Sequence, residues 1–238
     1  GPVNCAVTKQ TLVGVICGVK SKKCRKTTNG REKATGRTPS KCSEKQAAPD
    51  QTLGSYIANG LIDGRSLNPE EVLGMTWFLW LGGLDTVAAT ISQMFRRMAL
   101  EPWIQDWIIE HPEGIPGAVE EFLRYDGPSN ALARVVKVEH QIDGKTLRAG
   151  DRVFGFANAA NRDPRAFTDP QGLDLGRTPN RHLTFGFGTH FCMGAPLARL
   201  EGQRCVGRLV QRFASIRRAP GEPDWVDALA MRGVFTLP

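Results

Sequence analysis

The stretch Thr184-Phe185-Gly186-Phe187-Gly188-Thr189-His190-Phe191-Cys192-Met193-Gly194 decides how this chain is read. Glycines at this density let the backbone take positive φ and approach a large object closely. The phenylalanines between them indicate that the object is apolar. Cys192 comes just before a helical-looking run over 195–213, so it feels the positive end of a helix dipole, which favours the thiolate. A thiolate on a tight Gly-rich loop, with amides turned towards the sulfur, is a good soft metal ligand. Taken alone, the cysteine could equally be a buried structural residue after a turn.

Phe185, Gly188, His190, Cys192 and Gly194 fall without a gap on the pattern Phe-x-x-Gly-x-(His/Arg)-x-Cys-x-Gly. The stretch thereby resembles the haem-binding signature of the cytochrome P450 family. The resemblance implies a mainly α fold with small β-sheets. It also implies haem b as cofactor, Cys192 as the axial ligand of its iron, and Phe185, Gly188 and His190 at the cofactor, with His190 on a propionate.

Outward from this loop, composition bounds the rest. The chain has 238 residues, 41% of them hydrophobic, enough to bury a sizeable core. The net charge of +7 is uneven. Residues 1–49 hold 11 basic and 2 acidic side chains, and the remainder holds 20 and 22. The basic balance therefore belongs to the leading segment, and charge gives no support for a nucleic-acid role of the body. Six cysteines without a Cys-x-x-Cys pair fit neither a zinc site nor a disulfide scaffold, so a reducing, cytoplasmic setting is expected. Residues 1–49, with Lys20–Lys26 and a polar Gly/Ser/Thr/Pro run, read as a disordered low-complexity segment. The apolar run Leu12–Val19 is too short to cross a bilayer. The body, 50–238, reads as a truncated cytochrome P450 domain.

A short helix is expected over Asp50–Leu61 and a turn at Asp63-Gly64-Arg65. Asn68 then caps a long helix with Pro69 at its first position and Glu70 and Glu71 in its first turn. Apolar residues on every face predict a helix buried nearly all round. From Val72 to Phe95 the only charge is Asp85. The length would suit a membrane span, but the charge and the small polar residues around it argue against one, and no span is expected. A membrane-anchored interaction protein is carried as an alternative on this ground. Gly82-Gly83-Leu84-Asp85-Thr86 also resembles the oxygen-binding kink of the family's central helix. That resemblance implies Thr86 hydrogen-bonding dioxygen and Asp85 relaying protons.

Helices are expected over Trp103–Glu110 and Ile115–Tyr125. The second contains Glu121-x-x-Arg124, which resembles the family's buried pair supporting the haem loop. A second arginine of that cluster is expected where Gly172 stands, so the cluster reads as incomplete. Ala131–Val138, Gln141–Arg148 and Asp151–Ala157 read as strands, with Asp143-Gly144 as a hairpin signal. Arg134 is either an exposed strand arginine or a propionate partner. His182 reads as structural. Asn161–Phe167 resembles the family's short helix, Asp169–Arg181 its irregular meander, and Val234–Leu237 an edge strand. Arg199, Arg204, Arg208 and Arg212 form either a patch for an acidic electron donor or an ordinary solvated face.

The resemblance runs from about Asp50 to the C-terminus, the C-terminal half of the family's domain. It implies a haem-thiolate monooxygenase that inserts one oxygen atom of O2 into a small apolar substrate. Electrons would come from NAD(P)H through a ferredoxin reductase and a ferredoxin. A truncated, non-catalytic homologue is the alternative.

Overall fold

The computed structural model describes residues 41–221, 224–227 and 232–236. Residues 1–40 lie outside it, and with them Leu12–Val19 and Lys20–Lys26. Two compact units divide at Leu84 and Asp85.

In the first unit, helix α1 (Lys41–Ala47) falls inside the segment expected to be disordered. Its end is tied to helix α2 (Leu53–Ala58), because Gln46 Nε2 donates to Ala58 O at 3.0 Å and Asn59 Nδ2 donates to Lys45 O at 3.1 Å. Long-range bonds of this kind override a composition that favours disorder on its own. Thr52 caps α2 by accepting from Ser55 N. Strands β1 (Leu61–Ile62) and β2 (Arg65–Ser66) form a small hairpin. Its turn residues Asp63 and Gly64 have φ of 50° and 78°, the left-handed pair that such a turn requires.

The long helix α3 (Pro69–Leu100) starts as its sequence dictates. Asn68 Oδ1 accepts from Glu70 N and Glu71 N, and Glu71 Oε2 accepts from Asn68 N, so the cap is reciprocal. Burial around the whole helix is not what the structure has. Val72 packs with Ile57 and Leu67, but Leu73, Trp77, Phe78, Trp80 and Leu81 are exposed. A helix hydrophobic all round is buried only where other elements cover it, and among the described residues these five side chains lack that cover. By length and composition α3 is also able to cross a membrane.

In the second unit, Met94 and Met98 of α3 enter the main core. They meet Ile104 and Ile108 of α4 (Trp103–Glu110) and Ala118, Val119, Phe122 and Leu123 of α5 (Ile115–Tyr125). Leu175 and Val206 complete it. Each fully buried side chain of this size contributes roughly 1.5–3 kcal/mol. Both helices keep their expected bounds, and the apolar spacing of four brings their core residues to one face.

The strands are arranged differently from the reading. β3 (Ala131–Val135) pairs antiparallel with β6 (Arg152–Phe156). The Asp143-Gly144 turn splits the expected second strand into β4 (His140–Ile142) and β5 (Lys145–Leu147), with φ of 51° and 74° at the turn. The short helix α6 (Ala157–Ala160) precedes the expected position, and Asn161–Phe167 is a run of turns. Asp163-Pro164 accounts for this, since proline disfavours helix at the residue before it. The meander is irregular, as expected. It leads to the cysteine loop and α7 (Ala195–Arg212). β7 (Asp224–Asp227) and β8 (Arg232–Thr236) form a terminal hairpin.

Candidate haem-thiolate site

The loop folds back on itself before α7 begins. Gly186 and Gly188 have φ of 75° and 68°, positions strained for any side chain. Gly186 N donates to Leu183 O and Cys192 N donates to Phe185 O, both at 2.9 Å. A single 3-10 turn over Gly188–His190 is closed by Phe191 N donating to Gly188 O at 2.9 Å. These bonds bring Phe185, Gly188, His190 and Cys192 into one compact bend. Cys192 is a free, exposed thiol two residues before Gly194, the N-cap of α7.

Phe185 is partly buried against the main core. Arg199 lies 4.7 Å over its ring, and the rings of His182 and Phe191 lie 5.8 and 6.3 Å away. It is the footing of the bend as well as part of its signature. His190 is exposed, as are Phe187, Phe191 and Met193.

Glu120 of α5 ties together the two residues that flank this loop, His182 before it and Arg199 after it. Glu120 accepts from Arg199 Nε and Nη2 at 2.7 and 2.9 Å and contacts His182 Nε2 at 3.0 Å. Burial pushes the Glu120 carboxyl up, but the bonds from His182 and Arg199 outweigh it and hold it at about 2. The hydrogen bond to Glu120 raises Arg199 above its ordinary value. Arg199 is thus committed inward. The exposed basic stripe on α7 consists of Arg204, Arg208 and Arg212 only.

Glu121 and Arg124 are both fully buried and bonded twice, at 2.7 Å each. The cluster expected to be incomplete is complete. Arg177 Nε donates to both Glu121 oxygens at 3.2 and 3.1 Å, and Asn180 Nδ2 adds a bond at 3.0 Å. A Cβ at Gly172 would have to displace the Asp169 carboxylate. The Gly172 carbonyl accepts from Arg124 Nη2 at 2.8 Å. A buried pair needs its remaining hydrogen-bonding groups satisfied, and the meander supplies those partners.

Sequence reasoning also missed Asn161. It is buried, and its carbonyl accepts from Arg124 Nη1 at 2.9 Å. Its side chain bonds Thr184 Oγ1 at 2.9 Å and Leu183 N at 2.7 Å. Thr184 in turn donates to Leu123 O at 2.7 Å. Asn161 therefore links α5 to the first residue of the cysteine loop. Its only sequence signal is a polar residue followed by charged ones, which reads as surface.

The other expected site residues stand on separate elements. Asp85 and Thr86 are half-buried neighbours on α3, and Thr90 Oγ1 donates to Thr86 O at 2.8 Å one turn later. Arg134 is exposed on β3, with Nη1 donating to Ala133 O at 2.8 Å.

The residues of the bend fit a haem. Among the described residues no group of three or more His, Cys, Asp or Glu side chains could hold a metal ion. A lone exposed cysteine suits a metal whose other ligands come with its cofactor. Nothing lies within 4 Å of where a Gly188 Cβ would be, and the exposed faces of Phe187, Phe191 and Met193 are apolar.

The family model "Cytochrome P450" matches residues 115–224. The polyketide biosynthesis cytochrome P450 PksS of Bacillus subtilis is 34% identical over 198 residues, 82% of this chain and 49% of that protein. At that coverage the match takes in α3 and Cys192 wherever it begins. The steroid C26-monooxygenase of Mycolicibacterium smegmatis is 32% identical over 185 residues, 76% of this chain and 45% of that protein. The crystal structure of CYP109E1 from Bacillus megaterium in complex with testosterone superimposes with a TM-score of 0.77 at 31% identity, over 82% of this chain and 55% of that one. The chain spans about half the length of the curated relatives it matches. With the cysteine loop, the buried Glu121–Arg124–Arg177 cluster and the fold all in agreement, the chain belongs to the cytochrome P450 family and carries the C-terminal portion of its fold.

Proposed function

We propose that the chain serves a haem-thiolate monooxygenase that inserts one oxygen atom of O2 into a small apolar substrate. The observation that carries this is the exposed Cys192 thiol, held on a closed Gly-rich bend at the start of α7. A haem bound there supplies dioxygen activation and attack on a C–H bond. Cys192 Sγ, just before the N-terminus of α7, would hold the iron. Phe185 and Gly188 keep the bend open and apolar, while His190 and Arg134 would meet the propionates. Thr86 Oγ1 and the Asp85 carboxyl, adjacent on α3, would hold and pass protons. Electrons would come from NAD(P)H through a ferredoxin reductase and a ferredoxin. The exposed Arg204, Arg208 and Arg212 suit an acidic donor. We read α3 as the central helix of a soluble cytoplasmic enzyme and not as a membrane span. The steroid and polyketide names of the relatives agree with an apolar substrate.

A second reading is a homologue without turnover that binds haem weakly. The reduced, CO-bound difference spectrum after haem supplementation tests both. A thiolate-type Soret band, lost in Cys192→Ala and kept in Thr86→Ala, is the expected result. Thr86→Ala should then release more peroxide per product formed. No haem uptake, or an imidazole-type band unaffected by Cys192→Ala, would overturn the assignment.

A further inference from the structure

A cleft of about 300 Å3 lies among Gln93, Tyr125, Asp126, Asn130, Asn158 and Arg162. None of the haem-site residues lines it. Gln93 is only 5% exposed, and its Oε1 is buried without a hydrogen-bond partner. The same is true of Asn158 Oδ1. The Asn158 amide is not free to turn round, because its Nδ2 already donates to Gly127 O and Asn130 Oδ1, both at 2.9 Å. Buried oxygens of this kind almost always have a donor, and a polar cavity of this volume lies at the small end of ligand sites.

The surroundings restrict what the donor can be. A cation would have to compete with Arg97, which bonds both Asp126 oxygens at 2.5 and 3.3 Å, and with Arg162, 4.0 Å from Asp126. An anion would face the fixed Asn158 oxygen and the Asp126 carboxylate. An aromatic ring finds no platform, since Arg97 and Arg162 lie over the Tyr125 ring at 4.7 and 4.4 Å. An apolar group would leave both oxygens unpaired. A neutral molecule with at least two donors is what is left. Arg162 adds a requirement. Its Nη2 donates to Tyr125 O at 2.8 Å, but Nη1 has only a long 3.5 Å contact to Gln171, so it can still serve an acceptor. Hydroxyl groups donate and accept from one atom.

We infer that the cleft binds a small neutral polyol, whose hydroxyls donate to Gln93 Oε1 and Asn158 Oδ1 and accept from Arg162. The inference does not depend on haem binding. The test is to follow the side-chain amide signals of Gln93 and Asn158 by 1H–15N NMR of the full chain while titrating glycerol or myo-inositol. Both signals should move saturably with a midpoint on the order of millimolar. In Gln93→Leu the Asn158 signal should titrate at least about tenfold more weakly. Gln93→Met serves if the leucine variant fails to fold. Shifts that stay linear and spread over the surface would overturn the inference, as would an unchanged midpoint in the variant. So would saturation by acetamide but not by polyols. Persistent amide-to-water cross-peaks at every polyol concentration would show that water alone fills the cleft.

Discussion

Glu120 and Glu121 are consecutive on α5, and the 100° between successive helical residues sends them to different neighbours. Glu121 turns into the core towards Arg124 and Arg177, while Glu120 reaches His182 and Arg199 beside the cysteine bend. Glu120 is held at about 2 against an ordinary 4.5. A depressed folded-state pKa means that the carboxylate stabilises the fold above pH 4.5, and that this contribution fades as pH falls from 4.5 towards 2. Glu120→Gln should therefore be less stable than the parent by about 1–2 kcal/mol at pH 7, allowing for solvent screening. The difference should close steadily below pH 4.5. Urea unfolding at a series of pH values checks this, and a pH-independent difference would mean that the carboxylate charge is not what matters. At this scale the sequence was legible where chemistry is local. The Cys192 bend and the Glu121-x-x-Arg124 spacing each lie within a few residues. Arg177 and Asn161 were not legible, because their partners lie 56 and 37 residues away, and a frame shift of five residues put the second arginine on Gly172.

Among the elements, α3, α5 and α7 meet at Gly202. A Cβ there would lie 3.1 Å from Val119 Cγ1 and 3.3 Å from Met94 Cε. The glycine costs α7 roughly 1 kcal/mol in helix propensity relative to alanine. Alanine would recover that and lose a similar amount by squeezing Val119, while the flexible end of Met94 can yield. Gly202→Ala should stay within about 1 kcal/mol of the parent. Gly202→Val adds two methyl groups with no space for them and should lose about 1–3 kcal/mol. Thermal unfolding of the two variants separates these outcomes, and equal destabilisation would mean that the crossing is tighter than its side chains. Helix bounds were well read from period and caps, as α4, α5 and the Asn68 cap demonstrate. Strand pairing was not, since Asp143-Gly144 specifies a turn but not which strands it joins. β3 finds β6 across the intervening hairpin, a choice made by tertiary context.

For the molecule as a whole, hydrophobic period states what a helix can bury, whereas the rest of the chain decides what it does bury. The same apolar alternation runs through both halves of α3. It meets the main core at Met94 and Met98 and leaves Trp77 and Trp80 59% and 50% exposed, their rings 5.1 Å apart. The chain also spans only about half the length of its relatives. A contiguous exposed apolar face of this kind promotes association. Because these side chains contribute little to the fold they stand on, replacing them should not weaken it. The double substitution Trp77→Gln/Trp80→Gln is expected to change unfolding free energy by less than about 0.5 kcal/mol. It should also lower concentration-dependent self-association in sedimentation velocity at neutral pH. A loss of several kcal/mol would instead place the two tryptophans inside a core that the fold needs. Unchanged association together with unchanged stability would shift the sticky surface to Phe187 and Met193 on the cysteine bend, where haem supplementation should then suppress it.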